Sequence, residues 1–314
     1  MYLDGKGQRI SDPETLDRIT TLRIPPAWHE VVICSSPQGH LQAVGYDAKG
    51  RKQYIYHAQW AAQQQQHKFD KMIAFVKALP KLREQVEKDM RKTGLPKEKV
   101  VATVIWLLDN TFIRVGNQEY AKENGSYGLT TLREKHVELD GQRVQFAFKG
   151  KSGVEHLVDI QDPRVARIIQ KCIEVPGYEL FQYYDEEGKR QLVDSKDVNE
   201  YLQIHSGEEC TAKDFRTWGG TVLATTHLHK LGPADSQKQL KKNLTATVKA
   251  VAIHLRNTPA TCRKYYIYPC AMECYESSLL CEKYLSWMKE SSQDSFLTKE
   301  EFVAWRLITE YVSK

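Results

Sequence analysis

No stretch of this 314-residue chain approaches the roughly 18 consecutive apolar residues of a membrane-spanning helix, so no span is predicted. The opening Met1-Tyr-Leu-Asp-Gly-Lys6 lacks an apolar signal-peptide core, which predicts a cytoplasmic chain. The seven cysteines lack the paired spacing of a zinc ribbon. Cys270, Cys274 and Cys281 read instead as one buried helix face, and the odd count points to a reducing compartment. There is no glycine-rich phosphate loop and no His/Asp metal cluster, so neither nucleotide, metal nor other cofactor is expected. Internal repeats and long disordered tracts are also missing. Charge of one sign is scarce: 45 basic residues against 40 acidic leave a net +5. The pI of about 8.6 falls below that of proteins that hold nucleic acid by bulk charge. A polyanionic partner would therefore require basic residues gathered on one surface.

What remains is an ordinary globular composition, long enough for about two domains. Strands are predicted over residues 31–57, in the apolar runs Val31-Val-Ile33 and Leu41-Gln-Ala-Val-Gly45. An Asp47-Ala-Lys-Gly50 turn then leads to the alternating Gln53-Tyr-Ile-Tyr56. A helical period follows through Phe69, Met72, Ile73 and Val76, with Pro80 expected to break it. A long apolar helix is predicted from Pro96, ending near Arg114-Val-Gly116. Residues 136–160 read as a three-strand meander, with Asp140-Gly141 as one hairpin and Lys151-Ser-Gly153 at the second tip. The rest is predicted to be almost wholly helical, with capping boxes at Thr211-x-x-Asp214 and Thr298-x-x-Glu301. The expected architecture is α+β: a small β-rich domain over 1–75 and a larger, mainly helical domain over 76–314.

Within this frame, residues suited to phosphodiester transfer recur. Near the end stands Asn257-Thr-Pro-Ala-Thr-Cys-Arg-Lys-Tyr-Tyr266, two tyrosines preceded by two cations and a polar amide. A tyrosine of ordinary pKa, about 10, is a poor nucleophile unless cations favour the phenolate. Charge growing on the attacked phosphate calls for fixed donors, and arginine's planar fork supplies two at once. A departing sugar oxygen needs a proton. Arg114, in Phe112-Ile-Arg-Val-Gly-Asn117, and Arg216, in Lys213-Asp-Phe-Arg-Thr-Trp218, are candidate donors. Lys151 is the candidate acid, Asn257 a neutral donor, and Tyr265 or Tyr266 the candidate nucleophile. Each has an alternative reading. Arg114 would cap carbonyls, Lys151 would keep a hairpin soluble, Arg216 would pair with Asp214 or Glu209, and Asn257 would end a helix.

Taken in order, these segments, with Tyr127-Gly-Leu-Thr-Thr-Leu132 and Phe148-Lys-Gly-Lys151, resemble the type IB DNA topoisomerases, chiefly the small bacterial and poxviral type. The likeness runs from about residue 25 to the C-terminus. It implies a duplex-DNA partner and relaxation of supercoils through a transient 3′-phosphotyrosyl bond, with no ATP or metal. It assigns Tyr266 as nucleophile, by its nine-residue spacing from Asn257, with Arg114 and Arg216 on the phosphorane and Lys151 as acid. Asn257 stands where several relatives carry histidine. The same likeness casts Lys49, Arg51, Lys52, Gln53, Tyr54 and Tyr56 as DNA contacts on a groove-facing strand. Asn117, Tyr120 and Lys213 would make further DNA contacts. It also implies a monomer that clamps the duplex and works at the nucleoid. A tyrosine recombinase shares this residue set. Its second arginine usually follows His-x-x rather than Lys213-x-x, and its N-terminal domain is helical. A non-catalytic DNA-binding protein of this fold would be expected to have lost one of the catalytic residues, and none is lost.

Overall fold

The structure is a computed structural model. It describes residues 2–207, 209–291 and 296–312, with the backbone alone at 62, 65, 66, 68, 69 and 312. Two compact units divide the chain, Met1–Asp70 and Lys71–Lys314.

The first unit begins with α1 (Pro13–Thr21), which the sequence reading passed over. Its signal was present: Asp12 caps the Thr15 amide at 2.8 Å, with proline at the first helical position. Strands β1 (His29–Ile33), β2 (Leu41–Tyr46) and β3 (Lys52–Tyr56) form an antiparallel sheet in chain order. Asp47 builds the β2–β3 turn, accepting from the Lys49 and Arg51 amides at 2.9 and 3.0 Å.

Helix α2 (Ala58–Met90) runs unbroken through Pro80, contrary to the expected break. Proline deletes one helical hydrogen bond at a cost of about 3 kcal/mol. Phe75, Val76, Leu79 and Leu82 around it are all buried, each stabilising the fold by about 1.5–3 kcal/mol, so packing wins.

In the second unit, α3 (Lys97–Thr111) is apolar nearly all round, with Val100, Val104 and Leu107 fully buried, as a central helix requires. A short α4 (Gln118–Asn124) follows. The meander comprises β4 (Val137–Asp140), β5 (Arg143–Lys149) and β6 (Glu155–Gln161), antiparallel in that order. Gly141, at φ 57°, makes its first turn. Helix α5 (Pro163–Glu174) packs on β5 and α3. A hairpin, β7 (Gln182–Tyr184) and β8 (Arg190–Leu192), interrupts the stretch expected to be helical; Asp185 and Gly188 form its turn.

Helices α6 (Ser195–Ser206), α7 (Ala212–Leu231), α8 (Gln237–His254), α9 (Pro259–Tyr265), α10 (Pro269–Glu276), α11 (Leu279–Glu290) and α12 (Lys299–Val312) complete the unit. Helix α7 is the hub, touching α3, α6, α8, α10, α11 and α12. Thr211 and Thr298 open α7 and α12, their amides donating to Asp214 and Glu301 at 2.7 and 2.8 Å. Glu301 also accepts from Trp218 Nε1 at 2.9 Å and from Arg83 at 2.7 Å, and Arg83 is paired in turn with Asp109. This buried network ties α2, α3, α7 and α12 together. Cys270 and Cys274 are buried on α10. Cys281 lies on α11 beyond a turn at Ser278, φ 63°, so the three do not share one helix face.

Candidate active site

Arg114 is placed by the way α3 ends. Phe112 adopts a left-handed conformation, φ 53°, and its amide bonds Leu108 O at 3.0 Å, which turns the chain out of the helix. The extended Arg114-Val115 segment is then clipped by backbone bonds, Leu129 N to Arg114 O at 2.9 Å and Thr130 N to Val115 O at 2.7 Å. Gly128 allows this close approach, since a Cβ there would lie 2.5 Å from Arg114 O. The Tyr127–Leu132 motif thus holds the Arg114 segment, with the Thr130 hydroxyl also donating to Val115 O at 3.0 Å. Tyr127 N also bonds Lys149 O at 2.8 Å, fastening the end of β5 to the same clip.

Two residues beyond that bond stands Lys151, exposed in a single turn between β5 and β6. Gly150 N bonds Val154 O at 2.8 Å, while Ser152 and Gly153 are left-handed at φ 63° and 76°.

Arg216 is only 3% exposed on α7. Its guanidinium donates to Phe112 O and, at 2.8 Å, to Leu255 O, so one side chain joins the ends of α3 and α8. It does not pair with Asp214, which caps α7 and meets Lys71 at 3.2 Å. Burial, then the charge of Arg114, push the Arg216 pKa down, and the Tyr266 phenol partly offsets this. The Arg216 guanidinium lies 5.1 Å from the Tyr266 ring centroid. Tyr265 points elsewhere, 40% exposed, with Lys213 and Lys264 ammonium groups 6.0 and 5.2 Å from its ring centroid.

Two adjacent glycines explain how α7 reaches both partners. A Cβ on Gly219 would lie 2.2 Å from the Phe112 ring, and one on Gly220 2.3 Å from Tyr266 O. Consecutive glycines inside a helix cost about 1 kcal/mol each, and here they make room for the site. Asn257 is half-buried just after α8, its Oδ1 accepting from Thr258 N at 2.9 Å, which leaves the Nδ2 end as donor.

Two residues not anticipated from the sequence join this group. Arg256, left-handed at φ 48°, donates to Leu157 O at 2.5 Å. His156 sits opposite Phe148 in the β5–β6 register, with the rings stacked at 4.6 Å. Burial, then the charges of Arg256, Arg114 and Arg216, hold its pKa down at about 4. None of these arginines has a carboxylate within ion-pair distance among the described residues. Nothing in the linear pattern marks His156, which occupies an ordinary inward position of a strand. The glycine pair was a signal available to be read.

Asn117 caps α4, accepting from Tyr120 N at 3.1 Å, and Tyr120 is 63% exposed. In the first unit, Tyr54 and Tyr56 share one exposed face and Tyr56 stacks on Trp60 at 4.4 Å, with Ile55 half-buried opposite. Asp47, held at about 2 chiefly by its hydrogen bond to Arg51, engages Arg51 at 2.7 Å and Gln53 at 3.0 Å. Lys49 and Lys52 are exposed beside them, with Lys52 over the Tyr54 ring at 5.9 Å. Among the described residues, no group of three or more His, Cys, Asp or Glu is placed to hold a metal ion. No described helix is long and apolar enough to cross a membrane.

Comparison with known proteins gives concordant matches. The sequence model for "Eukaryotic DNA topoisomerase I, catalytic core" matches residues 52–293, and that for "Bacterial DNA topoisomerase IB, N-terminal domain" matches residues 1–47. The chain is 34% identical over 271 residues to DNA topoisomerase 1B of Acanthamoeba polyphaga mimivirus, covering 84% of this chain and 80% of the relative. It is 25% identical to DNA topoisomerase 1B of vaccinia virus strain Copenhagen, covering 81% and 77%. A shorter match, 26% identical over 60% of this chain and 22% of the relative, is to DNA topoisomerase 1 of Schizosaccharomyces pombe.

Proposed function

The chain belongs to the type IB DNA topoisomerase family and is a DNA topoisomerase, and on that premise we propose that Tyr266 is its nucleophile. The observation that carries this choice is the placement of Arg216. It is buried, fixed by two carbonyls and set against the Tyr266 ring, whereas Tyr265 is turned toward Lys213 and Lys264.

In the proposed reaction the Tyr266 oxygen bonds to a DNA phosphorus as the bond from that phosphorus to the 5′-oxygen breaks. The phenol proton passes to solvent. Lys151 gives a proton to the departing 5′-oxygen, which leaves as a hydroxyl. Arg114 and Arg216 face the non-bridging oxygens as their charge grows, and Asn257 Nδ2 adds a neutral donor. After strand rotation the 5′-hydroxyl attacks the phosphotyrosine, the steps reverse, and no bond energy is lost. Turnover would then need no ATP.

The finer assignments follow the same reading. Residues 76–314 would be the catalytic domain and 1–75 a DNA-binding domain. Together they would act as a monomeric clamp on duplex DNA at the nucleoid. Lys49, Lys52, Tyr54 and Tyr56 would contact DNA directly. Arg51 and Gln53 are already engaged by Asp47 and would contribute by shaping the turn. Asn117, Tyr120 and Lys213 would lie on the catalytic side.

The deciding experiment is relaxation of negatively supercoiled plasmid in EDTA without ATP. Wild type and Tyr265→Phe should relax it and Tyr266→Phe should not. Activity in Tyr266→Phe, or a requirement for metal, would overturn the assignment.

A further inference from the structure

Five buried side-chain nitrogen and oxygen atoms have no hydrogen-bond partner among the described residues. Three of them are in the candidate active site: Nδ1 and Nε2 of His156, and Nε of Arg216. Buried polar atoms are nearly always satisfied, so a cluster of exceptions marks groups whose partner arrives with function. His156 is 4% exposed and none of the steps above uses it.

Its surroundings limit what that partner can be. The Nε2 edge of the ring faces the turn that carries Lys151: a Cβ on Gly150 would fall 2.6 Å from Nε2. Glycine at 150 is what lets this turn rest on the imidazole. The ring is pinned from its other side by Phe148. Burial first, then the charges of Arg256, Arg114 and Arg216, hold its pKa at about 4, so the imidazole is neutral and keeps one lone pair as an acceptor among donors. The two terminal nitrogens of Arg216 donate to Phe112 O and Leu255 O, its Nε is kept for the phosphate in the reading above, and Arg256 donates to Leu157 O. Lys151 lies in the turn itself, directly after Gly150, whereas Lys149 sets its stem toward Gly153 at the far side of the turn, and an ammonium has three donors. One can serve the leaving oxygen and another the imidazole.

We propose that His156 is a positioning residue for Lys151: its neutral imidazole accepts a hydrogen bond from the Lys151 ammonium and aims it at the 5′-oxygen. The contact would form as the Lys151 stem folds inward onto bound DNA. This rests on the reading of Lys151 as the proton donor. His156 never touches the phosphate and moves no proton itself.

The test uses His156→Phe, which keeps the stack on Phe148 and removes both nitrogens, and His156→Gln, which restores an acceptor. Single-turnover cleavage is measured on a duplex with an ordinary scissile phosphate and on one with a 5′-bridging sulfur, whose thiolate leaves without a proton. His156→Phe should slow the ordinary substrate by about tenfold or more and the sulfur substrate by less than about threefold. His156→Gln should recover part of the loss. Added to Lys151→Ala, His156→Phe should slow cleavage no further, since the two residues act through one proton donor. Equal slowing of both substrates, or full additivity with Lys151→Ala, would overturn the proposal. Should His156→Phe fail to fold, as judged by its unfolding curve, His156→Leu, which also lacks both nitrogens, carries the same decision on the two substrates. Wild-type cleavage abolished by Tyr266→Phe, with Lys151→Ala rescued by the sulfur substrate, shows independently that the underlying assignment stands. If those controls fail, it is that assignment that is lost.

Discussion

Replacing Arg216 by lysine separates what its charge does from what its shape does. The guanidinium bridges two carbonyls, Phe112 O and Leu255 O, the latter at 2.8 Å. An ammonium on a flexible stem can satisfy one of them at a time. A buried carbonyl left unpaired costs about 1–3 kcal/mol, so Arg216→Lys should lower unfolding free energy by about that amount in urea titrations. The effect on cleavage should be larger in rate than in binding. Losing the planar fork removes one fixed donor from the phosphate, worth about 2.7–4 kcal/mol, a 100- to 1,000-fold fall in single-turnover cleavage. Because the positive charge is retained, DNA affinity and its dependence on salt should change little. Rapid-quench cleavage, equilibrium binding at several salt concentrations and urea unfolding give the three quantities. A variant that cleaves within about threefold of wild type while losing the predicted stability would refute the donor role and leave Arg216 a purely structural bridge.

Gly219→Ala should destabilise the protein by about 1–3 kcal/mol through its clash with the Phe112 ring, and should slow cleavage by displacing the carbonyl that Arg216 grips; urea unfolding and cleavage rate check both. His156, ordinarily titrating near 6.5 when unfolded, is held at about 4 when folded, so the unfolded chain takes up its proton first as pH falls. Its contribution, about 3 kcal/mol at most, is present above pH 6.5 and is lost as pH drops from about 6.5 to about 4. The acid-limb difference between wild type and His156→Gln in unfolding experiments isolates it, and superimposable limbs would contradict it. Glu301→Gln should cost about 3 kcal/mol by leaving Arg83 one anion short in a buried network, seen as a lower urea midpoint.

Where the candidate residues fall in the fold was legible because their motifs are local. The ends of α3 and α8 and the β5–β6 turn each carry one candidate residue, and turn or cap chemistry fixes each place in a short stretch of sequence. The β4–β5–β6 meander was readable from Asp140-Gly141 for the same reason. What the sequence hid was set by distant packing. Pro80 reads as a stop, and only the burial of Leu79 and Leu82 explains why α2 continues. The single face drawn through Cys270, Cys274 and Cys281 failed because a left-handed Ser278, a conformation serine rarely adopts, starts a new helix. The chemistry of the segment left Tyr265 and Tyr266 alike and only the resemblance favoured Tyr266; that the Tyr266 ring meets Arg216 depends on α7, some fifty positions earlier in the chain. His156 could not be distinguished from any inward-facing strand residue until the three arginines were placed around it.

Those arginines also say something about how the protein lives when it is away from DNA. Arg114, Arg216 and Arg256 lie close enough to influence one histidine, and among the described residues none of the three has a carboxylate within ion-pair distance. Like charges held together push apart, and folding has to restrain them. Any compact anion that enters relieves that pressure, so sulfate or phosphate should raise the unfolding midpoint and, in the same act, compete with the substrate. The protein is then sturdiest while gripping its polymer and most fragile between encounters. Its durability in storage and its turnover in an assay would pull buffer choice in opposite directions.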